Sequence, residues 1–317
     1  MTDLRSKLFS FRAISGIWIF LILSGIGIIS GAFSVFGAET ADVVDYRTFF
    51  GFDPRTTVWI IAELHLMFGA FVLGVPMFAV TVEYVGVLTK EERYDRLAKD
   101  FTRLLSASFA LTAALGGLLT FALFTLYPKV MTFMSGIFHE SFYIYAFFFF
   151  GETFVLYFYY YSWDRLKKRK GIHITAGVLL NIIGLIIMGI SNSWATYMMS
   201  PSGIDPETMK FTGTLMDAIW NPLWNPLNLH RILGNAVFGG YVAGAYAAVK
   251  FLTAQTDEDR AHYDWMGYVG NFIAIVSLLF LPFAGYYLGR EVYSFSPIMG
   301  NNMMGGAFSW TFIIQAI

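Results

Sequence analysis

Seven long apolar runs divide the chain, at residues 12–36, 57–88, 101–127, 138–163, 173–199, 228–254 and 264–289, and an eighth opens near Ala307 and is cut at Ile317. A helix crossing the hydrocarbon layer needs about 20 mainly apolar residues, and each of the seven has that length. Lipid admits only helices and closed barrels, because every backbone polar group must be satisfied internally. The period-2 alternation of a membrane barrel is absent. The expectation is therefore an all-α integral membrane protein with about eight transmembrane helices, the last one pointing to a truncated chain. Composition agrees: 56% of the 317 residues are hydrophobic and 14% charged, against about a quarter charged in a soluble domain.

Charge in the loops sets the expected orientation. The first run follows Arg5, Lys7 and Arg12 and has no small-residue cleavage site, which reads as a retained anchor helix rather than a signal peptide. The amino terminus, the 89–103 loop, the WDRLKKRKG segment and the 250–262 loop carry Lys and Arg and alternate onto one side. Loops 37–56, 128–137, 200–227 and 290–305 fall on the other side and are lean in both. Short basic loops stay inside, so the N-terminus is expected in the cytoplasm of a prokaryotic cell, with the chain in its cytoplasmic membrane.

Several chemistries are excluded. With no cysteine there is no disulfide, no thiolate-held iron–sulfur cluster and no covalent C-x-x-C-H heme attachment. The net charge of −1 says nothing about nucleic acid, and no basic aromatic patch of the kind that binds it appears. No glycine-rich nucleotide fingerprint follows a strand, and no Ser/His/Asp set stands out. A redox cofactor here must be held by His, Met or carboxylate.

The ionisable residues inside the runs then carry the weight, since such groups in lipid are costly and tend to be functional. Of the five histidines, His65 is expected two to three turns into its helix from the outer side, with His139 and His230 at the outer ends of theirs. His173 and His262 fall at cytoplasmic ends, where a structural hydrogen bond is the simpler reading. Glu152 lies in FFFFGETFVLYF, thirteen residues after His139, or about 20 Å of helix rise. A carboxylate at that depth is expected to be protonated, paired or on a proton path; Glu63 and Glu83 also sit in an apolar helix. One or two histidines on helices of a dry, aromatic-rich bundle suit a non-covalent b-type heme better than zinc, which takes three or four close ligands. Met303 and Met304 could reach iron, but gap-filling is the commoner use of methionine.

Several collinear stretches together resemble one family, subunit I of the cytochrome bd quinol oxidases. RTTVWIIAELHLMFGAFVLG is similar to its first helix, with Arg55 ten residues before His65. FALTAALGG is similar to the next helix. GETFVLYFYYYSWDRL places Glu152 eleven residues before Trp163 and ends in the family's W-D-R-L. SNSW and ETMK follow, then NPLWNPLNLH with N-P, seven residues and His230, then GYVAG and LGREVY. The resemblance covers about residues 55–295. It implies a bd-like helical bundle in which His65 is an axial ligand of the high-spin heme beside the oxygen site. It likewise implies that His230 is an axial ligand of the low-spin heme b that takes electrons from quinol, that Glu152 delivers protons, and that Arg55 lies near a heme propionate.

Departures qualify what the resemblance implies. Where the family has carboxylates, this chain has Ile144 and Thr120, and where it has an aspartate in the quinol loop, this chain has Arg290. His139 and Glu140 are candidates to replace a lost ligand, and one heme held between His65 and His139 is an alternative. The family's G-R-Q-P-W motif, its second low-spin ligand and a further heme carboxylate have no counterpart in the 317 residues. The expected organisation is an anchor helix and outer loop at 1–50, a heme-binding bundle at 51–295, and the start of a further transmembrane helix at 296–317. The expected function is a membrane heme b subunit moving electrons between quinol and partner redox centres. Other membrane subunits would supply missing helices and ligands, and a cytochrome c or another redox subunit is a candidate partner. The alternatives are a bd-type oxidase reducing oxygen to water, with heme d, and a heme-free structural subunit. A secondary transporter would show repeated halves and broken helices, and neither stands out.

Overall fold

The structure is a computed structural model and describes Thr48 and residues 51–305. These residues form α1 (Pro54–Thr89), α2 (Glu92–Leu126), α3 (Pro128–Tyr161), α4 (Lys170–Met199), α5 (Leu215–Ile219), α6 (Trp224–Thr253), α7 (Asp257–Phe295) and α8 (Pro297–Met304). All but α5 and α8 are long and apolar enough to cross a membrane, and they coincide with the six inner apolar runs. The protein is an all-helical integral membrane protein. The anchor helix expected at 12–36 and the span expected from Ala307 lie outside the described residues.

Several expected loops are helix. The 89–103 loop shrinks to Lys90 and Glu91, because α2 already starts at Glu92. Its first turn carries Glu92 and Asp95, whose charge favours the amide-rich helix start. Arg93, Arg96, Lys99 and Arg103 therefore lie on a helix surface. The 128–137 loop becomes the opening of α3, where Pro128 takes a first-turn position that needs no N–H and suits its fixed φ. The 290–305 segment completes α7 and forms α8, whose Met299 amide donates to the Ser296 hydroxyl at 3.4 Å. Polar residues at a helix end hide its true length from hydropathy alone.

The residues divide into two compact units. One holds the described residues up to Gly69 and Ala107–Gly136. Its core joins Ile61, Ala122 and Leu126, with Val58, Leu119 and Tyr127 packed against them. Asp53 starts α1: its carboxylate accepts from the Thr56 amide at 3.0 Å and the Thr56 hydroxyl at 2.6 Å, and Pro54 follows at the first helical position. Such a cap satisfies amides that the first turn leaves open.

The other unit holds Ala70–Ser106 and the described residues from Ile137 onward. Here glycines let backbones touch, as membrane helices commonly do. A Cβ on Gly74 of α1 would fall 2.2 Å from the Asn235 carbonyl oxygen of α6, and one on Gly240 of α6 would fall 2.6 Å from the Gly270 carbonyl oxygen of α7. Replacing Gly240 by Val forces these helices apart. Overpacking of this kind costs about 1–3 kcal/mol, to be read as a lowered midpoint of thermal unfolding in detergent.

The Asp53 cap generates a pH prediction. Its hydrogen bonds with the Thr56 hydroxyl and then the Thr56 amide hold its carboxyl below the ordinary value of 3.8. A lowered folded-state value gives support that is present above the ordinary value and is lost as pH falls through the folded one. Amide exchange in the first turn of α1, corrected for intrinsic pH dependence, is expected to rise at acid pH. Asp53→Asn should keep the cap and abolish that pH dependence; Asp53→Ala should raise exchange at every pH.

Candidate functional site

His65 lies on α1, partly buried, with its ring against α2. Its Nδ1 is 3.1 Å from the Thr112 carbonyl oxygen. A carbonyl only accepts, so Nδ1–H donates and the Nε2 of the neutral ring carries the lone pair. One turn along α2 from Thr112, Gly116 faces the same imidazole: a Cβ there would sit 3.0 Å from Cε1. The ring is thus fixed in the tautomer and orientation that metal-ligating histidines take from a backbone carbonyl. Arg55, ten residues earlier, is exposed in the first turn of α1.

His230 lies on the second turn of α6 and differs in kind. Its Nδ1 is buried with no hydrogen-bond partner among the described residues. On α7, Gly285 faces it closely, since a Cβ there would be 3.5 Å from Cε1 and 3.6 Å from Nδ1. Buried polar atoms are satisfied in the great majority of cases; the Ser162 and Tyr197 hydroxyls share this state among the described residues, but of the three only the imidazole is a common metal ligand.

Glu152 is 5% exposed on α3. It lines a cavity of about 10 Å³ with Val72, Leu73, Pro76, Met188 and Asn235, which is room for about one water. Pro76 offers no N–H, so the Val72 carbonyl loses its helical partner. Asn235 follows His230 on α6 by five residues, and its amide donates to the Met188 sulfur at 3.5 Å. His139 and Glu140 are both exposed on α3; the His139 ring meets Tyr143 edge-on at 5.0 Å. Among the described residues no three His, Asp or Glu side chains gather as a bare metal ion would require.

The two histidines read as structural do pair. The His262 Nε2 lies 2.8 Å from Asp100. His173 belongs to a larger buried cluster centred on Glu83, whose side chain is fully buried. Glu83 meets the Tyr159 hydroxyl at 2.7 Å, the Lys170 ammonium at 2.8 Å and His173 Nδ1 at 2.7 Å. The Lys170 ammonium also pairs with Asp95, which accepts from the Trp163 indole at 3.1 Å. His173 Nε2 lies 2.8 Å from the Tyr159 carbonyl oxygen, and its ring stacks on Tyr159 with centroids 4.3 Å apart. Sequence reasoning saw Glu83 and the W-D-R-L segment separately. Their assembly was hidden because the bonds that join α1 and α2 to the later members link residues 68 to 90 positions apart.

Arg231 was missed outright. It follows His230 and is partly buried, and its Nη1 donates to the Asn192 side-chain oxygen at 2.5 Å. An arginine inside the apolar run LNLHRILGNAVFGG was the available signal.

The family of cytochrome bd terminal oxidase subunit I matches residues 54–306. A Bacillus subtilis (strain 168) chain named as a cytochrome bd menaquinol oxidase subunit I is 24% identical over 218 residues, covering 68% of this chain and 47% of its own length. The structure of bd oxidase from Geobacillus thermodenitrificans superposes with a TM-score of 0.67 at 20% identity, covering 78% of this chain and 58% of that one. The chain thus spans about half the length of the curated relative it matches.

The Glu83 cluster makes a stability prediction. Breaking a buried ion pair by removing one partner costs about 3–5 kcal/mol, and Lys170→Met does so, leaving Glu83 with less charge compensation. Lys167 pairs with Glu92 at 3.0 Å, but both side chains are exposed, and exposed pairs contribute about 0–1 kcal/mol. Thermal unfolding in detergent should show a large drop for Lys170→Met and almost none for Lys167→Met.

Proposed function

The chain belongs to the cytochrome bd terminal oxidase subunit I family, and from that premise we propose that it is a membrane heme b redox subunit of a respiratory complex. In this reading it transfers electrons between quinol and partner redox centres. The observation that carries it is His230: an imidazole whose buried Nδ1 lacks a partner among the described residues, on α6 facing Gly285 of α7. His65 adds support, because its hydrogen bond to Thr112 leaves Nε2 as the basic nitrogen.

His65 and His230 are the residues that would hold heme iron, with His139 or Glu140 as the candidate replacement for a lost ligand and Arg55 near a propionate. Bound heme supplies reversible one-electron chemistry. The protein's own part is to fix the imidazoles, to exclude water around them and to hold a proton at Glu152. We assign residues 51–295 to the heme-binding bundle, 1–50 to an anchor helix and outer loop, and 296–317 to the start of a further transmembrane helix. The N-terminus is placed in the cytoplasm, with other membrane subunits as partners and quinol as electron donor.

A second reading, a bd-type oxidase that reduces oxygen to water with heme d, is favoured by one feature. Glu152 is a buried carboxylate on a cavity that fits a water, which suits proton delivery.

The test is a pyridine-hemochrome assay with reduced-minus-oxidised spectra on the purified complex and on His65→Ala and His230→Ala. Heme b is expected, with a separate set of bands lost in each variant. A chlorin band in the red would select the oxidase reading. A spectrum with no heme attributable to this chain would overturn both readings and leave a structural subunit.

A further inference from the structure

Arg231 raises a question that the family assignment leaves open. Its guanidinium carries five N–H donors and a fixed charge. Among the described residues it meets the neutral side-chain oxygen of Asn192 and pairs with no carboxylate. The Asn192 amide is itself committed, donating to the Asn228 side-chain oxygen at 2.8 Å, and Asn228 donates to the Trp224 carbonyl at 2.8 Å. This chain of neutral groups orients the guanidinium without neutralising it. In the same protein, the ammonium of Lys170 has two carboxylates and Arg96 has two as well.

A charge withdrawn from water in a membrane bundle is strongly disfavoured unless an anion meets it. The neighbouring residue is His230, whose buried Nδ1 is also without a partner among the described residues. Two consecutive residues of one helix therefore show complementary needs: an electrophile for the imidazole and an anion for the guanidinium. A single ligand class answers both, a metal macrocycle with carboxylates on its rim. Arginine is the residue best shaped to grip a carboxylate with two parallel N–H bonds.

Resting on the heme reading above, we propose that Arg231 binds a propionate carboxylate of the heme held at His230 and raises that heme's reduction potential. The sign follows from charge. The reduced heme carries one positive charge less than the oxidised heme, so a fixed cation beside it favours the reduced form. Asn192 acts as a positioning residue, presenting the guanidinium to the carboxylate.

The test is a spectroelectrochemical titration of the purified complex, following the component whose bands disappear in His230→Ala. In Arg231→Leu the reduced-to-oxidised ratio of that component at a fixed potential is expected to fall at least tenfold, a shift of 59 mV for one electron. Arg231→Lys keeps the charge and should hold the midpoint near wild type. The same Lys variant should move the propionate bands in redox-difference infrared spectra, since the two-pronged grip is lost. A midpoint unchanged in Arg231→Leu overturns the proposal. If the Leu variant does not accumulate or loses its heme, the Lys variant decides, and unmoved carboxylate bands overturn it. Absence of heme from the wild-type complex is a separate result, which overturns the functional reading itself.

Discussion

Almost everything in this molecule depends on one constraint: a polar group inside lipid must find its partner within the protein. The backbone meets it by running as helix, with six helices long enough to cross among the described residues. Side chains meet it by clustering. Tyr159, Lys170 and His173 converge on Glu83, hydroxyls of Thr102, Thr153 and Thr196 fold back onto carbonyls four residues earlier, and Asp100 takes up His262. Three buried side-chain atoms among the described residues lack a partner, Ser162 Oγ, Tyr197 OH and His230 Nδ1, and Arg231, next to His230, meets a neutral oxygen. Function is sought where the accounting of polar groups fails to close.

The architecture was largely legible in the sequence because hydropathy reports burial in lipid directly. The six inner runs each became one helix, and the family resemblance read from collinear motifs agrees with the family match over residues 54–306. Helix ends were less legible. Charge and proline were read as loop at 92–103 and 128–137, whereas acidic residues in a first turn and proline at a first position start helices. The anchor run at 12–36 and the run from Ala307 lie outside the described residues.

The candidate site divides in the same way. His65, His230 and Glu152 were picked out because single ionisable residues in apolar runs are conspicuous. What surrounds them was not: the carbonyl of Thr112 against His65, Gly285 against His230 and Asn235 beside Glu152 are ordinary residues placed by tertiary packing. His173 illustrates the converse. Its position at a helix end correctly suggested a structural bond, yet the partner, Glu83, is 90 residues away, and no local pattern encodes that pairing.

The seam between α6 and α7 would bear on electron transfer if the chain carries the heme proposed above. Gly240 and Gly270 bring the two backbones into direct contact, so the helix that carries His230 and the helix that carries Gly285 are joined by main chain rather than by adjustable side chains. A redox centre performs best when its surroundings barely move as its charge changes. Ten residues along α6 from His230, the seam of touching backbones has no rotamers to rearrange, and in the heme reading proposed above its stiffness would favour a small reorganisation energy.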